Sequence, residues 1–168
     1  MVSKISTLIP SLNTSLFDLI TFTETWLSPA ICNSELHFVN FIIFRCDRSP
    51  LNSNRSHGGG VLIAVKNTFK CKMLNTSIND IEAVFVHLQI DDTIFIIGCI
   101  YIPPCSPLIT YENVFSALND LYLAYPSAKF IILGDFNLPS IHWTHLSLPI
   151  NCTSQVDLFC KYAIVLQL

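Results

Sequence analysis

The spacing of apolar and polar residues changes along this chain, and each change marks an element. Ile5, Leu8, Ile9, Leu12 and Leu16 recur at helical spacing. The first segment therefore reads as an amphipathic helix that Pro10 either kinks or starts. The run DLITFT (18–23) is too short for a helix and reads as a buried strand ending at Glu24. FVNFIIFRC (38–46) is a second strand, and a polar stretch from Asp47 to His57 leads into Gly58-Gly59-Gly60 and a third strand, VLIAV (61–65).

The clearest local signal is a hairpin. Ile81–Ile90 and Thr93–Ile102 are both strand-like, and a two-residue turn, Asp91-Asp92, joins them. Ala83, Phe85 and His87 alternate with Val84, Val86 and Leu88, so both faces of the first arm are covered. Helical spacing returns at Tyr111, Val114, Phe115, Leu118, Leu121 and Tyr122, with Thr110 as the expected N-cap and Pro126 as the stop. KFIILG (129–134) is a further buried strand, and a loop and final helix are expected from Asn151 onward. Strands buried on both faces require sheets packed on each other with helices outside. The predicted fold is α/β, a layered sandwich of two mostly antiparallel sheets flanked by helices. An all-parallel Rossmann sheet is excluded by the antiparallel hairpin and by the lack of G-x-G-x-x-G.

Composition narrows the class. The chain has 168 residues, enough for one domain, and is 51% hydrophobic with only 12% charged residues. So apolar a chain must be tested for membrane spans. Its longest uncharged stretch, Thr93 to Tyr111, is broken by Pro103, Pro104 and Pro107, so no spanning helix is expected there. The segment Met1–Phe17 is too diluted by serine, threonine and asparagine to serve as a signal peptide. Seven cysteines, an odd number without a C-x-x-C pair, argue against a disulfide framework or a zinc knuckle and fit a reducing, intracellular setting, nuclear or cytoplasmic. A net charge of −3 argues against strong nonspecific binding of nucleic acid, which Lys and Arg carry. Bound cations offset carboxylates that would bind metal, which softens that argument.

Candidate chemistry gathers at strand ends. Glu24 follows DLITFT, Tyr101 lies near the end of TIFIIGCIYI, and Asp135 and Asn137 follow KFIILG. Loops fed by buried strands are where sites are built on rigid scaffolds. A carboxylate placed there is costly unless it is solvated, paired or bound to metal. Taken alone, Glu24 reads as a solvated acid, and Asp135 and Asn137 read as an ordinary turn. Arg45, Arg48 and Arg55 form the one local concentration of positive charge and read as a solvated loop. Among the histidines, His142 and His145 read as surface loop residues, His87 as an interior strand residue, and His37 and His57 as exposed.

Taken together, the motifs say more. TETWL (23–27), the glycine run before VLIAV, IYIPP (100–104) and LGDFNLPSIHW (133–143) follow one another in this order. In combination they resemble the endonuclease/exonuclease/phosphatase superfamily, and within it the endonuclease domain of non-LTR (LINE-type) retrotransposons. The resemblance runs from Lys4 to Trp143. It implies a magnesium- or manganese-dependent phosphodiesterase that hydrolyses DNA, which it would bind weakly. By resemblance, Glu24 is the metal ligand, Tyr101 and Asn137 contact the scissile phosphate, and Asp135 positions the attacking water. It also implies a reverse transcriptase as partner in the full-length parent element.

The chain departs from the family pattern in two respects. Family members begin with a strand bearing an active-site asparagine, and Asn13, inside the helix pattern, does not match it. They also carry a Ser-Asp-His segment, and no such triplet occurs here. Residues 1–168 are therefore expected to be a single incomplete domain lacking the first strand and the C-terminal part, with impaired activity. The alternative is a catalytically inactive transposon-derived remnant or binding module. A third branch, acting on phospholipids or inositol phosphates, fits TETWL and GDFNLP less well.

Overall fold

A computed structural model of the chain describes residues 3–14, 16–53, 55, 57–78, 80–139 and 154–165. Helix α1 spans Ser3–Asn13 and is followed by strand β1, Leu19–Thr23. A short 3-10 helix, Asn33–Leu36, precedes β2 (Phe41–Cys46) and β3 (Val61–Lys66). Next come β4 (Lys70–Leu74), the hairpin β5 (Glu82–Ile90) and β6 (Thr93–Tyr101), helix α2 (Leu108–Ala124), strand β7 (Lys129–Asp135) and helix α3 (Ser154–Val165). Among the described residues no helix is long and apolar enough to cross a membrane.

The strands form two sheets, one ordered β1-β3-β2 and the other β4-β5-β6-β7. Among the described residues every pairing is antiparallel except β6 with β7. The layered α/β sandwich expected from the sequence is the observed fold. Central strand β3 shows why both faces of its sheet are apolar. Val61, Ile63 and Val65 point into the space between the sheets and meet Val84, Val86, Ile97 and Cys99. Leu62 and Ala64 point the other way and pack with Ile9, Ile20, Leu27 and Leu36. A third cluster joins Phe85, Ile96 and Ile100 to Val114, Phe115 and Leu118 of α2 and Phe159 of α3. Each fully buried Ile or Leu contributes about 1.5–3 kcal/mol relative to exposure. Cys99 is a core residue, and burial pushes its thiol up to about 12.

The hairpin appears as read, with Ile90 opposite Thr93 across the Asp91-Asp92 turn. Three local readings need correction. The second strand starts at Phe41, not residue 38, because His37 and Asn40 have φ of 52° and 64° and turn the chain before it. Helix α2 starts at Leu108 with extended Pro107 as its N-cap, so Thr110 lies within the first turn. Strand β4 was not anticipated; its Lys70 and Lys72 are exposed on the outer edge of the sheet, a common way of keeping an edge unpaired. Asn13 ties α1 to the following loop, donating to the His37 carbonyl at 2.9 Å and accepting from the Val39 amide at 2.9 Å.

Candidate active site

Two of the strand ends that carry candidate residues, those of β6 and β7, are paired through the backbone, while the end of β1, which carries Glu24, belongs to the other sheet. At the end of β1 the chain turns through left-handed geometry at Glu24 (φ 54°) and Trp26 (φ 55°). The Gly58-Gly59-Gly60 segment, with φ of 81°, 70° and 84°, lies against this turn. Thr25 and Trp26 donate their amides to the carbonyls of Gly60 and Gly59 at 3.2 and 2.9 Å. Consecutive positive φ angles favour glycine, and the space demands it too. A Cβ on Gly60 would sit 2.5 Å from Thr25 Oγ1, and one on Gly59 would sit 2.3 Å from Arg48 Nη2.

This clamp holds Glu24. Its Oε2 accepts hydrogen bonds from Trp26 Nε1 and from the Gly59 amide, each at 2.7 Å. The Tyr101 hydroxyl also acts on the carboxylate and lowers it. Partial burial alone would raise the Glu24 carboxyl. Tyr101 and the bonds from Gly59 and Trp26, with the Arg48 charge, outweigh it and keep the group below its ordinary value. Glu24 is therefore an anionic oxygen donor at neutral pH. Tyr101 is pushed up to about 12, first by burial and then by the Glu24 carboxylate, so it remains a proton donor.

Behind these residues lies a pair that the sequence reading missed. Arg48 Nε meets Glu82 Oε1 at 2.6 Å, with side chains 6% and 1% exposed. A second bond runs from Nη2 to Oε2 at 3.3 Å. Arg48 also donates to the His57 carbonyl, and its guanidinium lies 5.7 Å from the centre of the Tyr101 ring. Burial would lower Arg48, but Glu82, Tyr101 and Glu24 outweigh that and raise it. Arg48 is thus not part of a solvated loop. Arg45 is not either, since it pairs with Asp47 at 3.3 Å. The signal for Glu82 was available: a two-residue turn at Asp91-Asp92 sets a register that puts Glu82 opposite Tyr101. An acid at an inward strand position needs a buried cation.

The same register continues into β7, where Tyr101 pairs with Asp135. Gly134 makes this possible: at φ 144° it runs so close to β6 that a Cβ would lie 1.9 Å from the Ile100 carbonyl oxygen. The turn that follows is firmly held. Asp135 Oδ1 accepts the Asn137 amide at 3.0 Å, and Asn137 Nδ2 donates to the Ile102 carbonyl at 2.8 Å. Tyr111 of α2 donates to the Phe136 carbonyl at 2.8 Å, and Phe159 of α3 packs on the Phe136 ring. Asp135 and Asn137 line a cavity of about 670 Å³ together with Pro104, Cys105, Gly134 and Pro139. Glu24 and Tyr101 are not among its lining residues. The strand register, not that cavity, sets Tyr101 beside Asp135, and Glu24 is linked to them through its interaction with Tyr101. His142 and His145 lie outside the described residues.

Among the described residues no group of three or more His, Cys, Asp or Glu side chains is placed to hold a metal. The Glu24 carboxylate could supply one oxygen ligand. The Trp26 and Gly59 donors share Oε2, and a hard cation such as Mg²⁺ needs only one or two carboxylates, filling its other positions with water and phosphate oxygens.

Comparison with known proteins matches residues 2–151 to the endonuclease/exonuclease/phosphatase family. The chain belongs to that family. Among solved structures, the endonuclease domain of TRAS1, a telomere-specific non-LTR retrotransposon, aligns with a TM-score of 0.63 at 12% identity. That match covers 98% of this chain and 64% of TRAS1. A Bacteroides thetaiotaomicron protein of the endonuclease/exonuclease/phosphatase family aligns at 0.55 and 10% identity, over 95% of this chain and 59% of its own. A humanized D. rerio TDP2 aligns at 0.52 and 15% identity, over 83% and 61%. At such identities the likeness establishes the fold, and the chain spans less than two thirds of each of these three. No curated protein matches the sequence.

Proposed function

We propose that this chain carries the hydrolytic core of a divalent-metal-dependent phosphodiesterase of retrotransposon origin whose substrate is DNA. One observation carries the reading: Tyr101 is paired in register with Asp135 and interacts electrostatically with Glu24. Three strand ends therefore contribute an ionised carboxylate, a phenol that keeps its proton, and a second carboxylate backed by an amide. In this reading Glu24 holds Mg²⁺ or Mn²⁺. When bound, the metal supplies charge neutralisation on the phosphoryl oxygens and the leaving group. Asp135 orients a water for attack on phosphorus and accepts its proton. Asn137 keeps a second amide hydrogen free of the Ile102 bond and, with the Tyr101 hydroxyl, donates to phosphate oxygens as negative charge grows there. Similarity to the TRAS1 endonuclease domain and to a D. rerio TDP2 solved with a single-strand DNA product supports DNA as substrate. The same reading makes a reverse transcriptase its partner in the parent element.

A second reading, an inactive transposon-derived remnant or binding module, is favoured by the lack of a Ser-Asp-His triplet in the sequence. Loss of one positioned acid–base group costs about 10²–10⁴ in rate, so slow nicking is the expectation. The test is relaxation of supercoiled plasmid in Mg²⁺. Slow nicking that stops in EDTA and in Glu24→Gln supports the phosphodiesterase. Nicking that persists in both contradicts it.

A further inference from the structure

Trp26 is 47% exposed, yet both of its neighbours, Thr25 and Leu27, are buried at 4%. Its backbone sits at φ 55°, a conformation that bulky residues avoid, and the Gly59 carbonyl holds it there at 2.9 Å. Such local strain persists only where the surroundings enforce it, and it concentrates at functional sites. Here it turns a large aromatic ring outward beside Glu24.

The ring is also fixed in orientation. Its Nε1 donates to Glu24 Oε2 at 2.7 Å. Gly58 brings bare backbone against the six-membered ring, so that a Cβ there would lie 3.6 Å from Cε2. An aromatic held this way loses little freedom when something stacks on it. Because the N–H end of the indole touches the carboxylate, a nucleotide whose phosphate reaches Glu24 carries its own base to the ring. Electrostatics gives this contact added weight. The chain has 9 Lys and Arg against 12 Asp and Glu, and Arg48 and Arg45 are already paired with Glu82 and Asp47. Affinity for the backbone is therefore thin, and stacking, which accepts any base, is the remaining source of sequence-independent binding.

We propose that Trp26 is a stacking platform for an unpaired nucleobase flanking the phosphate at Glu24, an inference that rests on the phosphodiesterase reading. The chain contains two tryptophans, so a Trp143→Phe background leaves Trp26 as the sole indole emitter. That protein is titrated in Mg²⁺ with a short single-stranded oligodeoxynucleotide and with an abasic strand of equal length. The base-bearing strand should quench Trp26 emission and the abasic strand should not. Read by the anisotropy of a fluorescein-labelled strand, Trp26→Ala should weaken binding of the base-bearing strand about tenfold and leave the abasic strand unaffected. Trp26→Phe, which keeps a ring but loses the N–H, should recover most of that loss.

Equal affinity of Trp26→Ala and the parent for the base-bearing strand overturns the platform. So does a loss in Trp26→Phe as large as in Trp26→Ala, which would mean that the indole acts only by holding Glu24. In both cases DNA still binds and the phosphodiesterase reading stands. Failure of the parent protein to bind either strand removes that reading, and the platform falls with it.

Discussion

Replacing Arg48 by methionine tests whether the site rests on a buried ion pair. The substitution keeps an unbranched side chain of similar reach and removes the charge. It leaves the Glu82 carboxylate, 1% exposed, with the Gly60 amide at 3.2 Å as its remaining hydrogen-bond donor. Breaking a buried pair by removing one partner costs about 3–5 kcal/mol, because an uncompensated charge is left behind. At about 2–4 °C per kcal/mol for a chain of this size, the unfolding midpoint should fall by on the order of 10 °C. Arg48→Met with Glu82→Leu removes both charges, and the double variant should regain much of the loss. Thermal and urea unfolding of the parent, both single variants and the double variant complete a cycle whose coupling energy isolates the pair. Strictly additive effects, or a midpoint shift under about 2 °C in Arg48→Met, would refute the reasoning.

Three further outcomes follow from the same geometry. Gly59→Ala should cost at least about 1–2 kcal/mol for its left-handed φ of 70° and more for displacing Arg48, and should impair Mg²⁺-dependent nicking; urea unfolding and plasmid relaxation report both. The Glu24 carboxyl lies below its ordinary value, because Tyr101 and the bonds from Gly59 and Trp26 outweigh the upward effect of burial. Its contribution to stability should therefore be complete above the unfolded value near about 4.3 and disappear as pH falls through the lower folded one; urea midpoints of Glu24→Gln against the parent across that window should lack this acid limb. Ile131 and Leu133, 42% and 37% exposed, lie on β7 at the edge of its sheet, so Ile131→Lys should reduce hydrophobic-dye binding and self-association in light scattering.

The elements most legible in the sequence were those whose signals are local. The Asp91-Asp92 turn between two apolar arms set the hairpin, and uninterrupted apolar residues in VLIAV marked a strand covered on both sides. Glu24, Tyr101, Asp135 and Asn137 stood out as polar residues ending buried runs, and the structure brings Glu24 to Tyr101 and sets Tyr101 beside Asp135. The misses came from longer-range causes. Strand β4 has only five residues and takes its order from pairing with β5, which no short pattern reveals. The late start of β2 depends on left-handed residues at His37 and Asn40. Arg48 looked like one of three loop arginines because its partner, Glu82, is 34 residues away and the glycine loop that covers it matters only in three dimensions.

The most direct test of the central claim, that Glu24, Tyr101, Asp135 and Asn137 form one phosphodiesterase centre, is the rate of plasmid nicking in Mg²⁺ by the parent chain and by Asp135→Ala. Asp135 is exposed, and the turn after it keeps the bonds from Asn137 Nδ2 to the Ile102 carbonyl and from Tyr111 to the Phe136 carbonyl when the acceptor for the Asn137 amide is removed, so truncation should leave the fold intact. The account predicts slow nicking by the parent and a further fall of about 10²–10⁴ in the variant. Equal nicking rates for the two proteins would contradict it.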